Sequence, residues 1–241
     1  MLKIENLTKI YGDKKAVDGL SLEINSGEIY GFIGHNGAGK TTTLKSVVGV
    51  LKFDQGDIFV DGISVLADPI AVKSRIAYIP DNPDIYEFMT GIGYLNFVTD
   101  VYGVYQPERA ERIKAYGDLF GLTPDLAQAV SAYSHGMKQK LAIIAALIHK
   151  PRLMVMDEPF VGLDPIAAHA LKGIMREICN DGGAIFFSTH VLEVAEKLCD
   201  KIAIIKDGKL VACGATADVK GDSSLENVFL ELEGSSEKEN V

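Results

Sequence analysis

The octapeptide Gly34-His35-Asn36-Gly37-Ala38-Gly39-Lys40-Thr41 has the form G-x-x-x-x-G-K-[ST], a spacing suited to holding phosphate. Its glycines let the backbone curl until successive N–H groups point inward at phosphate oxygens. Lys40 would neutralise β- and γ-phosphates, and the Thr41 hydroxyl would ligate Mg²⁺. At a glycine frequency near 7%, chance alone would produce the pattern in roughly one chain of this length in a hundred. Leu153 to Glu158 is an apolar stretch ending in two carboxylates. Alone, such a pair is usually a solvated strand end. Behind a phosphate loop, Asp157 reads as the metal carboxylate and Glu158 as the base for an attacking water. Ser188-Thr189-His190 closes the next apolar run. A lone histidine there is more often structural, but its place one strand after the carboxylates suits a γ-phosphate contact. The chemistry implied is transfer of a phosphoryl group to water.

The elements that must position these groups follow from periodicity. Residues 1–27 alternate through Leu2, Ile4, Leu20, Leu22 and Ile24, with a turn at Tyr11-Gly12-Asp13, which predicts antiparallel strands. Glu28 to Ile33 is a short strand leading into the glycines. A helix is expected to open near Thr41, with Leu44, Val47, Val48 and Leu51 on one face, and Lys40 is expected on a solvated loop before it. A second hairpin, 57–60 with 63–65, turns at Asp61-Gly62. From Asp81 to Lys150 the strand texture gives way to aromatics among helix-compatible residues. Three apolar strands then follow, 153–156, 184–187 and 202–205, alternating with helices, which requires a parallel sheet. Asp207-Gly208 closes a hairpin, and Leu225, Val228, Phe229 and Leu232 mark an amphipathic helix.

The fold expected is α/β: a P-loop core with a mostly parallel sheet, an antiparallel β subdomain and a helical insertion. Residues 1–80 and 151–220 form the core in this reading, 81–150 the helical subdomain, and 221–241 a C-terminal helix and acidic tail. The 241 residues, 47% of them hydrophobic, suffice for one sizeable core without disulfides or structural metals. Three scattered cysteines fit a reducing compartment. The net charge of −9 argues against a nucleic-acid partner. The longest apolar run, 141–148, is far below the ~18 residues of a membrane span, and the N-terminus lacks a signal-peptide pattern. A cytoplasmic chain is expected.

With Tyr133-Ser134-His135-Gly136-Met137-Lys138-Gln139-Lys140 added, the chain resembles the ATP-binding subunits of ABC transporters from about Leu2 to Leu232. That family usually carries L-S-G-G-Q at a helix N-terminus. Ser134 and Gly136 match, whereas Tyr133, His135 and Met137 depart. The resemblance implies ATP as the nucleotide, cradled by Gly34 through Thr42, with Tyr11 stacked on adenine. It also implies that Ser134 and Gly136 reach ATP held by a second nucleotide-binding subunit, in a homo- or heterodimer. Gly162-Leu163-Asp164 matches the loop that crosses the dimer interface, which places Asp164 at the nucleotide. Lys40, Glu158 and His190 become the catalytic set, and Thr41 and Asp157 the Mg²⁺ ligands. Asp81 stands where the family has glutamine at the metal, and is a third expected ligand. The implied partner is an integral membrane transporter subunit, which would hold this chain at the cytoplasmic face of the membrane. Docking is expected on the surface 81–97, rich in aromatics. The pattern around Tyr78 and Tyr133 looks most like exporters. A transport-independent ABC-type ATPase and a hydrolysis-poor half of a heterodimer stay open as alternatives.

Overall fold

The computed structural model describes residues 1–234; the end of the expected acidic tail lies outside them. The antiparallel portion is a four-stranded sheet of order β2-β1-β4-β5, made of β1 (Leu2–Tyr11), β2 (Lys14–Ile24), β4 (Gln55–Val60) and β5 (Ile63–Ser64). The second sheet has six strands. Besides β3 (Ile29–Ile33) it contains β6 (Ile76–Ile79), β7 (Leu153–Asp157), β8 (Ala184–Thr189), β9 (Lys201–Lys206) and β10 (Lys209–Ala215). Its order is β10-β9-β3-β8-β7-β6, and every pairing except the β9–β10 hairpin is parallel.

Strict alternation along the central strands sends side chains into two separate cores. Tyr30, Phe32, Val155, Phe186 and Ile205 pack with the antiparallel sheet and with α1 (Lys40–Val47). Ile29, Ile33, Met156, Phe187 and Ile204 face the helical layer. A sheet covered on both faces in this way reads as near-continuous apolar runs. The helical layer includes α5 (His135–Ile148), α6 (Pro165–Asn180) and α7 (Leu192–Leu198).

Within 81–150 lie α3 (Gly91–Val101), α4 (Glu108–Leu119), α5 and two short 3₁₀ turns. Residues 81–90 hold no helix. Three elements lack a counterpart in the sequence reading: the strand β6, the one-turn helix α2 (Pro69–Lys73) and the equally short helix that follows β10. The chain closes with α8 (Thr216–Lys220) and α9 (Leu225–Gly234). Val228, Phe229 and Leu232 of α9 pack on the helical-layer core.

Parallel register aligns the strand ends. Ile33 pairs with Thr189, Ser188 with Asp157, and Met156 with Ile79. The chain segments leaving β3, β8, β7 and β6 therefore emerge side by side at one edge, where ligands bind in open α/β sheets.

Candidate functional site

At that edge lies a cleft of about 390 Å³, lined by the phosphate loop, Tyr11, Lys14, Ala16, Asp81, Asp157 and Glu158. Gly39 ends the loop as the N-cap of α1, with φ 111°. A Cβ there would stand 2.4 Å from the Ala16 carbonyl oxygen, so only glycine fits between the loop and the antiparallel sheet. His35, Asn36, Gly37, Thr41 and Thr42 line the cleft with Gly39 and Lys40, whereas Gly34 and Ala38 form the buried floor behind it.

Lys40 departs from the expected solvated loop. It is the first residue of α1 and only 6% exposed, its Nζ donating to the carbonyls of Gly34 (2.5 Å) and His35 (3.2 Å). Burial pushes its pKa below the usual lysine range, while the carboxylates of Glu158 and Asp157 pull it back up. The loop's own carbonyls thus aim the ammonium across the cradle.

Asp157 ends β7, buried, and both its oxygens are engaged. Oδ2 accepts from Thr41 Oγ1 at 2.6 Å, and Oδ1 accepts from Ser188 Oγ. Mg²⁺ takes hard oxygen donors and keeps several waters beside substrate phosphates. The Thr41 hydroxyl and the Asp157 carboxylate are such donors, so this pair fits the ion. Among the described residues no group of three or more His, Cys, Asp or Glu side chains forms an all-protein cage. Asp81 lines the same cleft from an exposed position without building a three-carboxylate cluster with Asp157 and Glu158.

Glu158 sits at φ 48°, in the left-handed region that costs a non-glycine residue roughly 1–2 kcal/mol. Its backbone N–H is held by the Ser188 hydroxyl (3.1 Å) and the Ser188 carbonyl (3.2 Å). These bonds turn the side chain away from the strand axis and into the cleft. Oε1 lies 2.9 Å from His190 Nδ1, a close approach without hydrogen-bond alignment. The exposed His190 therefore borders the site through Glu158 and is not part of the cleft lining.

Ser134, Gly136 and Asp164 stand apart from this chain's cleft. Ser134 caps α5, its Oγ accepting from the Met137 amide at 3.3 Å. Asp164 caps α6, accepting from Ala167 N at 2.9 Å and pairing with Lys140 at 2.6 Å. Lys140 and the Ala167 amide hold its carboxyl below the usual range. Gly136 abuts the Gly162 carbonyl, which a Cβ would meet at 2.6 Å. Gln139 Nε2 adds a bond to Pro159 O at 3.3 Å. The N-terminus of α5 is therefore tied to the loop that follows Glu158.

Ser188, Lys14 and Ala16 are functional-site neighbours that the motifs do not reveal. Ser188 becomes visible only once β8 is known to lie beside β7. Lys14 and Ala16 need the antiparallel hairpin docked on the loop.

Fold and cleft together define the class: a P-loop nucleotide-binding ATPase cassette. Residues 17–161 match the family described as ABC transporter. Among relatives, the linearmycin resistance ATP-binding protein LnrL of Bacillus subtilis (strain 168) is 35% identical over 91% of this chain and 70% of its own length. The bacitracin transport ATP-binding protein BcrA of Bacillus licheniformis is 34% identical over 88% of this chain and 68% of its own. A solved structure described as an ATP binding subunit of an ABC transporter superposes with a TM-score of 0.92 at 33% identity, covering 97% of this chain and 99% of that one. The chain belongs to the ABC transporter ATP-binding family, and as such it binds and hydrolyses ATP.

Proposed function

We propose that this chain powers an exporter by hydrolysing ATP between two nucleotide-binding subunits. The observation carrying the mechanism is the convergence of Lys40, Thr41, Asp157 and Glu158 on one cleft. ATP would lie with its phosphates in the loop 34–41, its adenine on Tyr11, and its γ-phosphate toward Glu158. Mg²⁺, held by Thr41 and Asp157, would supply charge neutralisation on the β- and γ-oxygens. Lys40 binds the same oxygens from the floor. Glu158 accepts the proton of the attacking water, and His190, set against Glu158 Oε1, orients the γ-phosphate. The exposed Ser134 and the half-buried Gly136 would complete the partner subunit's site, with Asp164 at the junction.

The membrane subunit would dock beside α3. A groove of about 180 Å³ opens there, lined among others by Tyr78, Pro83, Ile85, Tyr94, Val98 and Tyr102. Tyr86 gathers Phe88 and Phe97 around itself at ring separations of 5.7 and 5.9 Å. All three rings are exposed, Phe88 by 85%, so they are not the helical layer's own core. Exposed aromatics beside a groove are suited to anchor an interface. Among the described residues no helix is long and apolar enough to cross a membrane, so attachment would come through this contact.

Export is favoured by the names of the relatives in linearmycin resistance and bacitracin transport. Deleting the gene and scoring susceptibility to both antibiotics tests it. Heightened susceptibility, restored by the wild-type chain and not by Glu158→Gln, is expected. Unchanged susceptibility to both removes the antibiotic-export reading. Cross-linking from Tyr86→Cys or Phe88→Cys to the co-purified membrane subunit tests the docking face. If neither links while distant surface cysteines do, docking lies elsewhere.

A further inference from the structure

Tyr11 is half exposed at the end of β1, and the Lys9 ammonium stands over its ring, 5.2 Å from the centroid. Residues two apart on a strand share a face, which makes the contact local to the backbone. Tyr11 lines the nucleotide cleft and Lys9 does not. The ammonium therefore contacts the ring without itself entering the cleft lining.

Lys9 is itself held. Its side chain is only 14% exposed, and its Nζ lies 3.3 Å from Asp54 Oδ2. The same Asp54 oxygen accepts from the Ile10 amide at 2.7 Å, and the Asp54 amide donates to the Thr8 carbonyl at 2.9 Å. Asp54 is thus clipped to the strand on both sides of Lys9. Opposite, the β1–β2 register steps from Lys9–Val17 to Ile10–Lys15, which leaves Ala16 as an extra residue, a β-bulge. The Ala16 carbonyl is the group that touches Gly39 of the phosphate loop. Bulge and clip together fix where the Tyr11 ring stands relative to the phosphates.

We infer that Asp54 and Lys9 are positioning residues for base recognition, clamping Tyr11 from behind so that its free face is presented to the purine. A cation on one face also draws electron density from the ring, which favours stacking of an electron-rich base on the other. This rests on the reading that Tyr11 stacks on adenine. Neither Lys9 nor Asp54 lines the cleft, so their effect must pass through Tyr11.

Calorimetric titration with ADP and with inorganic pyrophosphate tests the clamp, since only ADP carries the base and neither is hydrolysed. Lys9→Met keeps the buried stem and removes the charge. Asp54→Asn keeps an acceptor for Ile10 and frees the ammonium. Each should raise the ADP dissociation constant about two- to fivefold, the range of an exposed cation–π contact, and leave pyrophosphate unchanged. Lys9→Arg should restore ADP affinity. In a Tyr11→Ala background, Lys9→Met should have no further effect. The inference is overturned if Lys9→Met and Asp54→Asn leave ADP binding unchanged. It is equally overturned if they weaken pyrophosphate as much as ADP, or still act without the Tyr11 ring. The stacking reading itself fails, separately, if Tyr11→Ala alone leaves ADP affinity unchanged.

Discussion

Asp81 shows how a single side chain shapes the cleft's charge. It lines the cleft from an exposed position, together with Asp157 and Glu158. At ~6 Å two carboxylates in bulk water repel by about 0.7 kcal/mol, and exposure keeps Asp81 near that limit. Removing its charge should therefore matter little at saturating Mg²⁺ and be felt when the ion is scarce. Asp81→Gln is expected to tighten ATP binding about threefold without Mg²⁺ and to leave it unchanged at saturating Mg²⁺, read by titrating ATP at a series of Mg²⁺ concentrations. Equal titrations for wild type and Asp81→Gln would separate Asp81 from the metal. At this scale the sequence was informative because the phosphate loop and the Asp157-Glu158 pair are contiguous. The burial of Lys40 was not legible, since it depends on Gly34 and His35 turning their carbonyls back toward α1. Nor was the Ser188–Asp157 bond, which joins residues 31 apart through strand order.

Between elements, α5 makes a close contact with the loop before α6. Gly136 and Gly162 approach so closely that a Cβ on Gly136 would meet a backbone oxygen at 2.6 Å. Gly136→Ala should therefore displace the start of α5 and cut ATPase activity tenfold or more, while ADP affinity at the distant cleft holds. Retained activity would show that the loop yields without cost. A second junction is the end of α5 against β6. His149 Nε2 donates to the Ile76 carbonyl at 3.1 Å and its ring stacks on Tyr102 at 3.8 Å. Burial pushes its pKa below the ordinary 6.5, helped by Arg112 and opposed by the Ile76 bond. Below pH 6.5 the unfolded chain takes up the proton first, so stability falls with pH until the folded form protonates as well. His149→Gln keeps a donor for Ile76, and its melting temperature should fall less than the wild type's between pH 7 and 5. Identical slopes would exclude His149 as the source. Helix and strand periodicity made most of these elements readable, including the β-α-β rhythm after Pro151. Short β6 and one-turn α2 were not, because four- and five-residue elements offer too few periods to register.

On the scale of the whole molecule, the two sets of residues proposed to hold ATP do not meet within one chain. The cleft with Lys40, Asp157 and Glu158 lies on one side, while the exposed Ser134 and the half-buried Gly136 stand apart from it. That arrangement makes sense if two copies close head to tail over two ATP molecules. Glu158→Gln tests it most directly, since the variant keeps the shape of the site and loses the base, so an ATP sandwich would form and persist. Light scattering of this variant with ATP and Mg²⁺ should show the mass doubling from 26.0 kDa, with the monomer returning when ATP is withdrawn. A variant that binds ATP at saturation and remains at 26.0 kDa would contradict the symmetric two-site assembly.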